Sequence, residues 1–247
     1  MKSAAPRLQG ALIGCGFVNR FHVEGWAKIS QARLAALCDL DRQRLEQAAA
    51  KVPGARLYTD AAALFESEQG LDFVEICTRP ESHRALVELA ARSGVHVLCQ
   101  KPSAAVRSDL GAMIRVCDSS GIRLMFHENR RFRPWYRALR AEISAGTIGR
   151  PIRLRIAHRD TRALREGGYD DQPYFRTMPR LILLEMGCHL VDTARFLIGE
   201  VETVSAALGK FGSHSIDEDM ATLSLQFAGG CSSRPGVLRL VITPGVR

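Results

Sequence analysis

The run Leu8-Gln9-Gly10-Ala11-Leu12-Ile13 passes straight into Gly14-Cys15-Gly16, and the next apolar run closes on an acid, Asp39. Strand, glycine turn, helix, strand and acid in that order constrain the chain to a parallel unit with a crossover helix. Backbone without side chains at Gly14 and Gly16 can approach a pyrophosphate, and the free N–H groups of the following helix face the anion. Asp39, about twenty residues further on, can accept hydrogen bonds from an adenine ribose. The plain alternative is a tight strand-to-helix turn used for packing. The third glycine position is Asn19, so helix and strand are not expected at their closest approach there.

Short Val/Ile/Leu-rich runs at 8–13, 33–38, 72–77, 95–99 and 122–126 alternate with helical spacing at 18–29, 41–51, 60–67, 81–93 and 106–119. Asp60 and Ser108 stand near helix starts, and Gly94 and Gly121 just past helix ends, where a left-handed residue is useful. This alternation predicts an α/β unit with a parallel sheet covered on both faces. Its strand C-termini then share one edge, where ligands bind. The segments directly after the predicted strands are Gly14-Cys15-Gly16, Asp39, Thr78-Arg79-Pro80, Gln100-Lys101-Pro102 and His127-Glu128-Asn129. All are polar or conformationally special. Lys101 precedes a proline that pushes it out of the helical region. A lysine held at a strand end and partly desolvated has its charged form disfavoured and can move a proton near neutral pH. The alternative is a surface lysine in an ordinary loop.

From Pro151 the pattern changes. Ile152-Arg153-Leu154-Arg155-Ile156-Ala157-His158 alternates apolar and polar, a half-buried strand of an antiparallel sheet, with similar strands predicted at 203–209 and 219–227. The Gly/Asp-rich stretch 160–175 is expected to be a loop over a pocket rather than a packed element. Leu181 to Leu197 predicts a helix interrupted near Gly187. The boundary falls within 122–150, giving expected domains 1–124 and 125–247. On the helix, Glu185, His189 and Asp192 stand at i, i+4 and i+7, hence on one face. Three readings stay open. Glu185 fixes the tautomer of a general base His189; or all three hold zinc or another metal, without a further His or Cys at a helpful spacing; or the face is a satisfied histidine with solvated acids.

With 247 residues, 46% hydrophobic and 24% charged, the chain can bury proper cores as an ordinary globular protein. No apolar run approaches the roughly 18 to 20 residues of a membrane span, and Met1-Lys2-Ser3-Ala4-Ala5-Pro6 lacks an apolar signal core, so neither membrane nor export is expected. Seven cysteines at 15, 38, 77, 99, 117, 188 and 231 form no C-x-x-C pair, which suits a reduced cytoplasm. The net charge of +8 and the stretch Arg130-Arg131-Phe132-Arg133-Pro134-Trp135-Tyr136-Arg137 raise single-stranded nucleic acid as a ligand. The other basic residues are scattered among acids and no nucleic-acid module is present, so no such partner is expected. Arginines facing an anionic cofactor or substrate account for the charge. No metal site is assigned.

Taken together, Gly14-Cys15-Gly16, Cys38-Asp39, Thr78-Arg79-Pro80-Glu81-Ser82-His83, Gln100-Lys101-Pro102 and Glu185-Met186-Gly187-Cys188-His189-Leu190-Val191-Asp192 resemble the Gfo/Idh/MocA oxidoreductases from Leu8 to about Gly230. This is the family of glucose–fructose oxidoreductase and inositol 2-dehydrogenase. The resemblance implies an N-terminal Rossmann domain and a C-terminal α+β domain on an open, mostly antiparallel sheet. It implies NAD, with NADP as the alternative, and hydride transfer at a secondary alcohol or ketone of a sugar, polyol or inositol-like substrate. A homo-oligomer through the C-terminal sheet is also implied. By position, Lys101 looks like the lysine of the family's E-K-P motif and His189 like its catalytic histidine, while Glu185 stands where the family often has aspartate. Gln100 replaces the usual glutamate and removes a charge beside Lys101.

Cofactor contacts are expected at Gly14, Gly16, Phe17, Val18, Asp39, Thr78, Pro80, His83 and Lys101. Substrate contacts are expected at Asn129, Arg131, Trp135, Tyr174 and Arg176, on pocket-side loops. Asp39 favours NAD because a carboxylate repels a 2′-phosphate, a preference that Arg42 and Arg44 soften. Family members are commonly longer, and from about Cys231 the tail resembles nothing expected of them. A frameshift or premature stop that leaves the second sheet incomplete, with an open edge, is the expectation. A dinucleotide-binding remnant or sensor without turnover is the alternative function.

Overall fold

The computed structural model describes residues 7–228 and 237–244; the readings of residues 1–6 and of the segment 229–236, Cys231 included, lie outside the described residues. The chain divides into two units, Met1–His127 and Glu128–Arg247.

In the first unit the elements run β1 (Leu8–Ile13), α1 (Asn19–Trp26), β2 (Ala32–Cys38), α2 (Arg42–Ala49), β3 (Arg56–Tyr58), α3 (Ala61–Ser67), β4 (Phe73–Ile76), α4 (Pro80–Arg92), β5 (His96–Cys99), α5 (Arg107–Ser119) and β6 (Leu124–Phe126). The strands form one parallel sheet in the order β3-β2-β1-β4-β5-β6. Successive strand residues point to opposite faces, so the apolar runs feed two cores. Ala11, Ile13, Ala36, Val74 and Ile76 enter one, with Leu64, Val87 and Met113 from the helices. Leu12, Leu37 and Phe73 enter the other, with Val23 and Leu45.

Helix starts follow local chemistry. Asp41 accepts from the N–H groups of Gln43 and Arg44, and Asp60 from that of Ala63, so two orphan donors of α2 and one of α3 are satisfied. Ser108 stands in the first turn of α5, which begins at Arg107 with Val106 in the capping position. Gly94 and Gly121 take φ of +67° and +66° just past α4 and α5. The three-residue β3 carries too little pattern to be read from sequence.

The second unit contains α6 (Pro134–Ser144), β7 (Arg155–Asp160), α7 (Cys188–Ile198), β8 (Val201–Gly209), β9 (Met220–Phe227) and β10 (Val237–Pro244). Its sheet order is β7-β10-β9-β8, with β10 antiparallel to β9 and parallel to β7, and β8 antiparallel to β9. Ile182, Met186, Leu190 and Ala194 form a stripe against Ala221, Leu223, Leu225 and Phe227 of β9. Residues Val237–Pro244 form β10, whose Val237-Leu238-Arg239-Leu240-Val241-Ile242 has the composition of a strand and which pairs with β9 and β7. One expectation is corrected. The stretch 160–175 is packed rather than a bare loop: Ala163, Tyr169, Phe175, Met178 and Leu181 form a core of their own, with Phe175 only 1% exposed. Aromatic rings in that segment bury more area than a solvated loop could offer.

Candidate active site

The chain order of the first sheet reverses between β1 and β4, and the ligand crevice of such sheets lies outside the strand ends at that point. Gly14 makes the turn there with φ +101°. A Cβ on it would lie 2.7 Å from the Cys77 carbonyl carbon, so the ends of β1 and β4 approach each other because position 14 is empty. Gly14→Ala is therefore expected to destabilise the protein by about 2 kcal/mol through strain and to weaken NADH binding, read by thermal melting and by fluorescence titration. Wild-type affinity in that variant would contradict the assignment of the turn. A Cβ at Gly16 would meet nothing within 4 Å, which leaves open space where an anion can approach the backbone.

Among the described residues no hydrogen bond occupies the N–H of Gly16, Phe17 or Val18, ahead of α1. Asp39 closes β2, and its carboxylate accepts from Cys15 N at 2.5 Å and Asp41 N at 2.8 Å. The acid is thereby fixed against the glycine turn. Arg42 and Arg44, which were to soften its preference for NAD, pair with Glu46 and Asp41. Thr78 and the buried Pro80 lead from β4 into α4, and Ser82 Oγ donates to Thr78 Oγ1 at 2.7 Å. Open turn, free donors and fixed acid are the set a dinucleotide requires.

His83 has a different use from the one its motif implied. It is 0% exposed, with Nε2 3.1 Å from Thr78 O and Nδ1 3.1 Å from Ser103 O. Burial pushes its ionisation down, against the pull of those carbonyls. No ring atom reaches the surface, so His83 is a strut between the end of β4 and the loop after Lys101, not a cofactor contact. Lys101 itself follows β5 at the same strand edge, and its main-chain N–H donates to Gln100 Oε1 at 2.8 Å.

In the second unit, His189 lies in the first turn of α7, directly after a π turn at Leu183–Gly187. The helix expected over 181–197 is continuous, but the wider turn changes which residues face together. His189 Nδ1 lies 2.6 Å from Glu128 Oε2, and the imidazole is 7% exposed. The orienting acid at Nδ1 is thus Glu128, whereas helix spacing had suggested Glu185. Nδ1–H donates, which leaves Nε2 as the basic nitrogen. Thr193 Oγ1 donates to His189 O at 2.7 Å and steadies the turn. Glu185 sits in the π turn; burial opposes the charge of Arg162, and its ion pair with Asp160, with a smaller contribution from Glu185, favours it. Glu128 was visible only as part of a polar segment after a strand; its partnership spans 61 residues.

Asp192, the third member of the helical set, is taken by Arg131, whose Nε donates to Oδ2 at 2.8 Å with a second, parallel contact from Nη2. This forked pair raises the Arg131 pKa, through the hydrogen bond to Asp192 first, and takes up two donors of the fork. Spacing alone had grouped Glu185, His189 and Asp192 for a metal; the structure instead brings Glu128, Cys188 and His189 within 4.8 Å. Cys188 Sγ in that group lies 3.0 Å from the Leu184 carbonyl. Of the other substrate-side residues, Arg176 pairs with Asp170, Tyr174 lies tilted at 56° against buried Phe175 with ring centroids 4.5 Å apart, Asn129 is exposed, and Trp135 is 58% exposed at the start of α6.

Among the described residues no helix is long and apolar enough to cross a membrane. Residues 8–128 match the family model for the oxidoreductase family with an NAD-binding Rossmann fold, and residues 136–234 match that of the GFO/IDH/MocA C-terminal domain. The chain is 43% identical over 231 residues to D-apiose dehydrogenase of Paraburkholderia graminis, covering 94% of this chain and 60% of the relative. It is 32% identical over 228 residues to myo-inositol 2-dehydrogenase of Thermotoga maritima, covering 89% of this chain and 65% of the relative. The chain therefore spans between three fifths and two thirds of the length of these relatives. A crystal structure of an oxidoreductase from Agrobacterium radiobacter, in complex with NAD+, L-tartaric acid and magnesium, superposes with a TM-score of 0.88 at 37% identity, over 98% of this chain and 68% of that one. By its matched domains, its glycine turn and its strand order, this chain belongs to the Gfo/Idh/MocA family of oxidoreductases, and its N-terminal unit is an NAD-binding Rossmann domain.

Proposed function

We propose that the protein is an NAD-dependent dehydrogenase acting on a secondary hydroxyl of a sugar or polyol, with NADP as a weaker alternative. The observation that carries this reading is the 2.6 Å pair of His189 Nδ1 and Glu128 Oε2, which presents Nε2 as a base. The bound nicotinamide supplies the hydride acceptor in oxidation and the donor in reduction. His189 takes the hydroxyl proton as the carbon–oxygen double bond forms. Lys101 donates a hydrogen bond to the same oxygen and stabilises the charge that develops there. Glu128 holds the imidazole in its tautomer and offsets the positive charge it gains. Glu185, Asn129 and Trp135 are assigned to neighbouring substrate hydroxyls. The relatives named for D-apiose and myo-inositol make those two the first substrates to try.

The test is a fluorescence titration with NADH followed by nicotinamide absorbance over a panel of sugars and polyols. Turnover on at least one of them supports the proposal. Binding with no turnover across the panel would favour a binding remnant or sensor. Lys101→Met is expected to lower kcat by about 10²- to 10³-fold with NADH affinity retained; near-normal turnover would remove Lys101 from the chemistry.

Two further parts of the reading rest on the second unit and the thiols. β8 forms a sheet edge and exposes Val204 at 63% and Leu208 at 50%, which supports self-association through this sheet. Sedimentation showing only monomer would count against it. Among the described residues Cys15, Cys38, Cys77, Cys99 and Cys117 are buried free thiols, a state that fits the reducing cytoplasm.

A further inference from the structure

Glu75 is an acid in the middle of a central strand, between Val74 and Ile76, which are both 0% exposed. It is itself 0% exposed, yet its carboxylate has several partners. His22 Nδ1 lies 2.6 Å from Oε1 and Trp26 Nε1 donates to Oε2 at 2.6 Å, both from α1. His127 Nε2, just after β6, lies 2.8 Å from Oε1 but out of line for a good hydrogen bond. The chain of contacts continues upward. Gln100 Nε2 is 3.0 Å from His22 Nε2, and Gln100 Oε1 accepts the main-chain N–H of Lys101 at 2.8 Å.

The donors and acceptors in this chain can be assigned without ambiguity. The Lys101 N–H can only donate, so the Gln100 atom facing it is the carbonyl oxygen. The atom facing His22 is then the amide nitrogen, which can only donate. His22 Nε2 must accept, its proton is on Nδ1, and that proton is given to Glu75. Glu75, His22, Gln100 and the Lys101 main chain form one directional relay. Gln100 is 8% exposed, and its own N–H donates to Ile76 O at 2.9 Å, so neither end of the residue is loose.

We propose that Gln100 is a positioning residue for Lys101: it holds the Lys101 main chain through Oε1 and takes its own orientation from the Nδ1–H tautomer of His22, locked on Glu75. The assignment deepens the dehydrogenase reading and rests on it for the role of Lys101. The same geometry decides against a metal on His22, Glu75 and His127, whose ligand atoms cluster within 4.8 Å. A metal needs the Nδ1 lone pair of His22, and the bond from Gln100 commits that nitrogen to its proton.

Long-range nitrogen–proton NMR of histidine-labelled protein reads the tautomer directly and needs no turnover. The expected result is an unprotonated Nε2 and a protonated Nδ1 on His22. A protonated Nε2, or displacement of the His22 signals by stoichiometric zinc, would overturn the proposal. Gln100→Met keeps the length and loses both hydrogen bonds; kcat is expected to fall on the order of 10- to 100-fold, with NADH affinity retained. Gln100→Glu keeps the acceptor for Lys101 N–H and is expected to recover turnover to within a few-fold of wild type while protonating His22 Nε2. Unchanged turnover in Gln100→Met would remove the positioning role. If wild type has no turnover at all, the dehydrogenase reading fails, and the tautomer together with the Lys101 amide signal still tests the relay.

Discussion

Turnover by His189→Ala is expected to fall by about 10²- to 10⁴-fold, while NADH binds as tightly as to wild type. A buried imidazole with Nδ1 on a carboxylate has one nitrogen left for chemistry. Removing the ring removes the proton acceptor and leaves the glycine turn, at the other end of the sequence, intact. Glu128 separates the base from its orientation. Glu128→Gln keeps an acceptor for Nδ1–H and loses the charge, so kcat is expected to drop about tenfold, the size of one modest electrostatic interaction. Glu128→Ala loses both and is expected to drop further. In all three variants KM for the alcohol should move much less than kcat, because a proton acceptor matters most in the transition state. Steady-state kinetics with NADH titration of each variant checks this. A Glu128→Ala enzyme with normal kcat would show that the 2.6 Å contact has no part in turnover.

Acid should destabilise the wild-type protein in a window that Glu75→Gln largely lacks. Burial opposes ionisation of Glu75, but the close approach of His127 Nε2 and the hydrogen bond from His22 outweigh it and hold the carboxyl at about 2 against an ordinary value of 4.5. A carboxyl whose folded pKa lies below its unfolded one stabilises the fold above the unfolded value. That stability is lost as pH falls from about 4.5 toward 2. Glu75→Gln removes the charge on which His22, His127 and Trp26 converge, and is expected to cost on the order of 3 kcal/mol at neutral pH. Urea unfolding of both proteins across the acid range checks the sign: the two should converge as pH falls. A constant gap at every pH would mean that Glu75 contributes through shape rather than charge. A lone acid inside the run Phe73-Val74-Glu75-Ile76-Cys77 is a signal the sequence carries, since a buried carboxylate requires partners.

Local chemistry made much of the first unit legible. The capping acid Asp60, left-handed glycines after helices and short apolar runs act over a few residues, so sequence order alone ordered the strands and helices of the first unit except the three-residue β3. It also placed Lys101 after a central strand and His189 on a helix. Spacing misled where the helix was not regular. Glu185 and His189 are one turn apart on paper, yet the π turn at Leu183–Gly187 intervenes. The segment 160–175 looked like a loop because its Gly and Asp residues are local signals, whereas the burial of Tyr169 and Phe175 is not.

What the amino-acid order determined, then, was the type of most elements of the first unit and the glycine turn with its acid, and it offered two residues for proton transfer. Tertiary structure alone decided their partners: Glu128 for His189 across 61 residues, Arg131 for Asp192 across 61, and His22 for Glu75 across 53. Helix and strand periodicity constrain neighbours within a turn or a pleat, while a hydrogen bond between distant segments depends on which strands pair and which face each side chain takes. Those choices are collective, and no short stretch of this chain contains them.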